Sequence, residues 1–157
     1  ALDVLQLTGL LKYRNYPPWS LSGGEMKKLA LASVLSMDPH YLALDEPTVG
    51  QDSHFKGTLI ELLRKLSLEG RGIIVVTHDV EWLLDLLPTR VIVMSGGKVI
   101  AEGGAREVLG DPDLLSRAGL VPPIVPLAAR KLGIGCSLTP GELADEVRRR
   151  VRIDRAL

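Results

Sequence analysis

Cysteine is almost missing from this chain of 157 residues. Cys136 stands alone, which excludes an internal disulfide. With no secretory leader in view, the expectation is a protein of the reducing cytosol. Aromatic residues amount to 4%, so any core must be aliphatic. No uninterrupted apolar run approaches the roughly 20 residues needed to cross a bilayer. The richest late stretch, residues 120–129, contains Pro122, Pro123 and Pro126; membrane contact is therefore expected to come through a partner. Charge of one sign is not in excess either. Nineteen Lys and Arg balance nineteen Asp and Glu, which argues against general nucleic-acid affinity. What remains is 46% hydrophobic content, suited to a globular domain that buries roughly 70% of its unfolded surface.

The pattern along the chain alternates helices with short apolar runs. Residues 1–8 suit a helix ending at Gly9, with Leu2, Val4 and Leu5 facing inward. Residues 13–19 are expected to be loop, because Asn15, Pro17 and Pro18 oppose regular structure. Ser22 is a natural N-cap for a helix reaching about Met37, with Met26, Leu29, Ala30, Ser33, Val34 and Met37 on its small or apolar face. Gly23 and Gly24 leave backbone N–H groups uncovered at the positive end of that helix, where an anion is favoured by only about 0.3–1 kcal/mol. Residues 41–44 and 73–76 are predicted to be strands buried on both faces, as in a parallel sheet. Between them Ser53 can cap a helix to about Glu69 with the stripe Leu59, Leu62, Leu63 and Leu66, stopped by Gly70. A short helix over residues 80–87 closes at Pro88.

Residues 90–94 and 98–101 flank Ser95-Gly96-Gly97, a hairpin signal. Asp111-Pro112 opens a helix, and residues 119–126 look like an extended connector. Thr139-Pro140-Gly141-Glu142 is a capping box. The helix it opens is expected to pair Asp145 with Arg149 and Glu146 with Arg150. Arg148, Arg149, Arg150, Arg152 and Arg155 then form a solvated, partly paired face.

Both predicted parallel strands end in polar chemistry. Asp45 and Glu46 follow the first; Thr77, His78 and Asp79 follow the second. Ligands in open α/β sheets sit outside the carboxyl ends of the strands, and two adjacent carboxylates there call for a cation, a water or a polar ligand.

Leu21-Ser22-Gly23-Gly24-Glu25, then residues 41–46, then Val49-Gly50-Gln51-Asp52, then Val76-Thr77-His78-Asp79, taken in that order, resemble the motifs of an ATP-binding cassette (ABC) ATPase over residues 1 to 110. The first is similar to the signature motif, the second to the Walker B strand with its catalytic glutamate. The third and fourth are similar to the D-loop and the switch histidine. The resemblance implies ATP and Mg²⁺ as cofactors. Asp45 would hold Mg²⁺ through water, Glu46 would activate the attacking water, and His78 would contact the γ-phosphate. Ser22, Gly23, Gly24 and Glu25 would bind the nucleotide of an opposite subunit, with Gln51 and Asp52 at the dimer contact.

One departure is large. No Gly-x-x-x-x-Gly-Lys-[Ser/Thr] phosphate loop occurs in the 157 residues. The expectation is therefore the C-terminal half of an ABC nucleotide-binding domain, an incomplete P-loop α/β fold, inactive by itself. Residues 1–37 would belong to the helical subdomain, 38–110 would run from Walker B to the hairpin, and 111–157 would be a C-terminal helical extension. The hairpin with Gly97-Lys98, the Gly50-Gln51-Asp52 variant, Glu25 and the tail resemble energy-coupling-factor importers of metal ions or vitamins. The implied partners are a second ATPase subunit, identical or not, and a transmembrane component, holding the protein at the inner face of the membrane. A DNA-repair or chromosome-maintenance ABC ATPase and a non-catalytic split interaction protein are the alternatives.

Overall fold

The computed structural model describes residues 2 to 154, with side chains to residue 151. Ala1, Arg155 and the side chain of Arg152 lie outside the described residues. The chain divides into two compact units, one ending at Thr77 and the other starting at His78.

In the first unit α1 (Leu2–Leu7) packs against α2 (Gly23–Leu35). Leu2 is exposed rather than inward, while Val4 and Leu5 are half-buried. Two single 3₁₀ turns, Leu11–Tyr13 and Pro18–Ser20, interrupt the expected loop. Ser22 caps α2 as expected, in a full capping box with Glu25. The helix stops at Leu35, and its buried residue is Ala32; Met26, Val34 and Met37 of the expected apolar face are exposed.

Strand β1 (Tyr41–Asp45) and β2 (Gly72–Val76) pair in parallel, Tyr41 opposite Gly72 and Asp45 opposite Val76. Between them α3 (Ser53–Leu68) packs on β2. It buries Phe55, Leu59, Leu62, Leu63 and Leu66, the expected stripe with one turn added. Its cap is Asp52, whose carboxylate accepts the Phe55 N–H at 2.8 Å, and not Ser53. Gly70, at φ 85°, ends the helix in a conformation that favours glycine.

Neither strand is buried on both faces. Leu42 is buried, but Tyr41, Ala43, Ile74 and Val76 lie on an exposed face. The reason is topological: two strands form this whole sheet among the described residues.

The second unit begins with α4 (Val80–Leu86), followed by β3 (Val91–Ser95) and β4 (Lys98–Gly103). The strands are antiparallel, with an irregularity between Val93 and Met94. Gly96 and Gly97 both have positive φ at the turn, the requirement of the tight turn that matches strand twist. Strand β4 continues through Glu102 and Gly103, two residues past the expected end at Ala101.

Helices α5 (Ala105–Leu109), α6 (Pro112–Arg117), α7 (Ile124–Lys131) and α8 (Pro140–Asp154) complete the unit. Asp111 caps α6 ahead of Pro112, as read from sequence. Pro126 lies within α7, so the connector is shorter than expected. Val80, Leu84, Val91, Val93, Val108, Leu109 and Leu115 share one core with Leu138. On α8 the pairs are one residue out of the expected register: Asp145 with Arg148 and Glu146 with Arg149. Arg150 instead donates to the carbonyls of Leu132 and Gly133 at the end of α7, where a cation meets the negative end of a helix.

Candidate functional site

Parallel pairing puts the carboxyl ends of β1 and β2 side by side, and polar residues collect there. Asp45 ends β1 and is exposed; Glu46 follows and is half-buried. The Glu46 N–H donates to the Val76 carbonyl at 2.8 Å, extending the strand pairing by one bond. Its carboxylate accepts the Thr77 hydroxyl at 3.3 Å. Glu46 has φ 45°, in the left-handed region that side chains with a Cβ avoid. Such a conformation costs about 1–3 kcal/mol and is held by its surroundings. Here the backbone bond to β2 and the hydrogen bond from Thr77 hold it, against the extended backbone that a following proline favours.

Beyond Glu46 the loop makes two overlapping turns. Val49 N–H donates to the Glu46 carbonyl and Gln51 N–H to the Thr48 carbonyl, with Thr48 buried between them. Asp52 then serves α3 as its cap, and Lys28 lies 3.5 Å from it. The Phe55 N–H is the main cause holding the Asp52 carboxyl below its ordinary range, with Lys28 assisting.

The amino end of α2 belongs to the same unit. The Ser22 N–H and hydroxyl both donate to one Glu25 carboxylate oxygen, at 2.8 Å each, and the Glu25 N–H donates to the Ser22 hydroxyl at 3.3 Å. The Tyr13 hydroxyl is the largest influence on Glu25, with Ser22 next, and the carboxyl is lowered to about 2. Glu25 therefore stays ionised at neutral pH. Gly24 lies beside the loop: a Cβ there would meet the Gly50 carbonyl and the Gln51 amide at 3.6–3.9 Å, ordinary contact distances. Glycine is not required at 24 for space against that loop.

Lys27, Ala30, Leu31 and Val34 of α2, with Leu42, Asp45 and Glu46, line an open groove of about 260 Å³. The first unit thus carries two groups, Asp45 with Glu46 at the strand end, and Gly24 beside Gln51, while Ser22 and Glu25 bond to each other at the start of α2 and Asp52 caps α3. His78, exposed at the start of the second unit, has its carbonyl engaged by the Val80 N–H at 3.0 Å. Among the described residues no three or more His, Cys, Asp or Glu side chains gather as a metal cluster.

Sequence reasoning missed Lys27 and Lys28. Lys27 donates to the Val49 carbonyl at 2.7 Å, and the Lys28 ammonium sits 4.5 Å from the Phe55 ring centre. A lysine reaching a carbonyl 22 positions away leaves no local pattern. The only signal was two lysines directly after a glycine-rich helix start.

Known proteins answer to the same features. A sequence profile described as ABC transporter matches residues 1–49. The energy-coupling factor transporter ATP-binding protein EcfA2 of Methanospirillum hungatei is 39% identical over 151 residues, 96% of this chain and 38% of that protein. CbiO1 from Clostridium perfringens, part of the ABC transporter complex cbiONQ, is 32% identical with a TM-score of 0.59, over 84% of this chain and 51% of that one. The dimeric structure of MJ0796, a bacterial ABC transporter cassette, is 31% identical with a TM-score of 0.61, over 67% and 45%. The chain spans between 22% and 50% of the length of the curated relatives it matches.

Proposed function

The chain has the sequence and fold of the ABC transporter ATPases, and we propose that it is the part of an ATP-binding subunit carrying the signature, Walker B and switch motifs. In this reading residues 1–110 belong to the ATPase and 111–157 form a helical extension. The observation that carries it is the end of β1, where Asp45 and Glu46 emerge together and Glu46 is pinned to β2.

Phosphoryl transfer needs charge neutralisation and a positioned nucleophile. The adjacent carboxylates fit Mg²⁺, which takes one or two protein carboxylates and keeps water and phosphate oxygens for the rest. When bound, the ion would neutralise the separating phosphates, with Asp45 holding it through water. Glu46 orients or deprotonates the attacking water, and the Thr77 hydroxyl fixes the direction of its carboxylate. His78 contacts the γ-phosphate. Ser22, Gly23, Gly24 and Glu25 take the nucleotide of an opposite subunit, whose D-loop meets Gln51 and Asp52.

The relatives named for energy-coupling factors support an importer of that group, for metal ions or vitamins. Its partners are then a second ATPase subunit and a transmembrane component, which places it at the inner face of the membrane. No helix among the described residues is long and apolar enough to cross a membrane. These 157 residues, lacking a phosphate loop, bind ATP weakly and do not turn it over by themselves.

The test is Glu46→Gln in the ATP-hydrolysing assembly. Turnover should fall by about 10²-fold or more, and an ATP-bound dimer should accumulate in gel filtration. Unchanged turnover sinks the assignment.

A further inference from the structure

Three contacts join the start of α2 to the loop that follows Glu46 and a fourth joins it to α3; the two lysines among them stand outside the motifs compared above. The Lys27 ammonium donates to the Val49 carbonyl at 2.7 Å. Lys28 lies 3.5 Å from the Asp52 carboxylate and 4.5 Å from the Phe55 ring centre. The Gln51 amide donates to the Gly24 carbonyl at 3.5 Å. At its other end the loop is fixed by the Glu46 N–H on Val76 and the Thr77 hydroxyl on the Glu46 carboxylate. The loop is thus held from two sides, by β2 through Glu46 and by α2 through Val49, Gln51 and Asp52.

We infer that Lys27 is a positioning residue, and that Lys27 and Lys28 make α2 and the loop 46–52 move as one body. The magnitudes favour position over stability. The Lys27 contact is exposed, and an exposed charged contact contributes little to global folding. Yet a charge-assisted bond to a carbonyl is short and directional, and Val49 has no strand or helix of its own to fix it. Without Lys27 the Glu46 end of the loop keeps its anchor on β2, while the stretch 49–51 can swing away from Gly24. Displacement of Ser22 by the nucleotide of an opposite subunit would then no longer reach Glu46. That last step rests on the function proposed above; the tether itself does not.

Two measurements separate them. In the 157-residue chain, Lys27→Met should speed hydrogen exchange of the Gln51 backbone N–H, which donates to the Thr48 carbonyl within the tethered loop, about tenfold with an unchanged melting temperature, and Lys27→Arg should restore it. Equal exchange in Lys27→Met and the parent overturns the tether. In the ATP-hydrolysing assembly, Lys27→Met should lower kcat about tenfold with KM for ATP within about twofold, again recovered by Lys27→Arg. An unchanged kcat where Glu46→Gln arrests turnover overturns the coupling and leaves the proposed function standing. If Glu46→Gln itself has no effect, the proposed function falls, and the exchange measurement alone decides the tether.

Discussion

The two units are built from the same parts, a pair of strands with helices against them, and they put their polar residues to opposite uses. In the first, the strands run parallel, so both carboxyl ends lie at one edge, and Asp45, Glu46 and Thr77 arrive together. In the second, the strands are antiparallel and their carboxyl ends lie at opposite edges. Its charged residues pair with one another instead: Arg90 with Glu102, Arg106 with Glu142, and Arg130 with Asp113. Strand direction decides whether the polar residues at two strand ends meet at one edge or lie apart.

The cores differ as well, and the largest expected effects probe that. Leu59 and Leu115 are each 1% exposed. Leu59 belongs to a stripe on one long helix against a two-stranded sheet. Leu115 sits where several short elements converge and can close in on a void. Leu59→Ala should cost about 3–5 kcal/mol and Leu115→Ala about 2–3 kcal/mol, read by denaturant unfolding. A reversed order would break the comparison.

Two glycines test it at a smaller scale. A Cβ at Gly72 would come within 2.6 Å of the Tyr41 ring, but that ring is 85% exposed and can swing out. A Cβ at Gly110 would collide with the Arg106 carbonyl and the Cys136 sulfur. Gly110→Ala should therefore destabilise by about 1–3 kcal/mol, and Gly72→Ala by less than about 1 kcal/mol. Thermal melts of the two variants decide between rigid and yielding neighbours.

The smallest effect concerns pH. Arg106, with the Leu138 N–H next, lowers the Glu142 carboxyl from 4.5 to about 2. A depressed carboxyl stabilises the fold above its unfolded value, and the contribution fades as pH falls from 4.5 towards 2. Because Glu142 and Arg106 are well exposed, the total should stay under about 1 kcal/mol. Glu142→Gln should flatten the acid limb of the α8 amide-exchange profile. An unaltered limb would show that the pair contributes nothing.

Element existence was largely legible in the sequence, because caps, glycine stops and apolar periodicity are local. The α3 stripe, the Asp111 cap and the glycine turn needed only neighbouring residues. Burial was not legible. An apolar run such as residues 73–76 shows that a strand tolerates burial on both faces, whereas the layers present decide whether it is buried. The α8 pairs slipped by one residue because Arg150 had a better acceptor in the carbonyls at the end of α7, far away in sequence. Within the site, the carboxylates and the glycine-rich helix start were visible as motifs. The lysines that tie them together act across 22 or more positions and were not.

The left-handed backbone at Glu46 sets stability against chemistry at one position. Glycine there would relieve the strain at once, and asparagine in part. A gene copy relieved of any need for the carboxylate would be pushed by folding alone towards those residues. Glutamate at 46 is thus a choice that folding would not make unaided, and its loss to glycine would be an early mark of a silent copy.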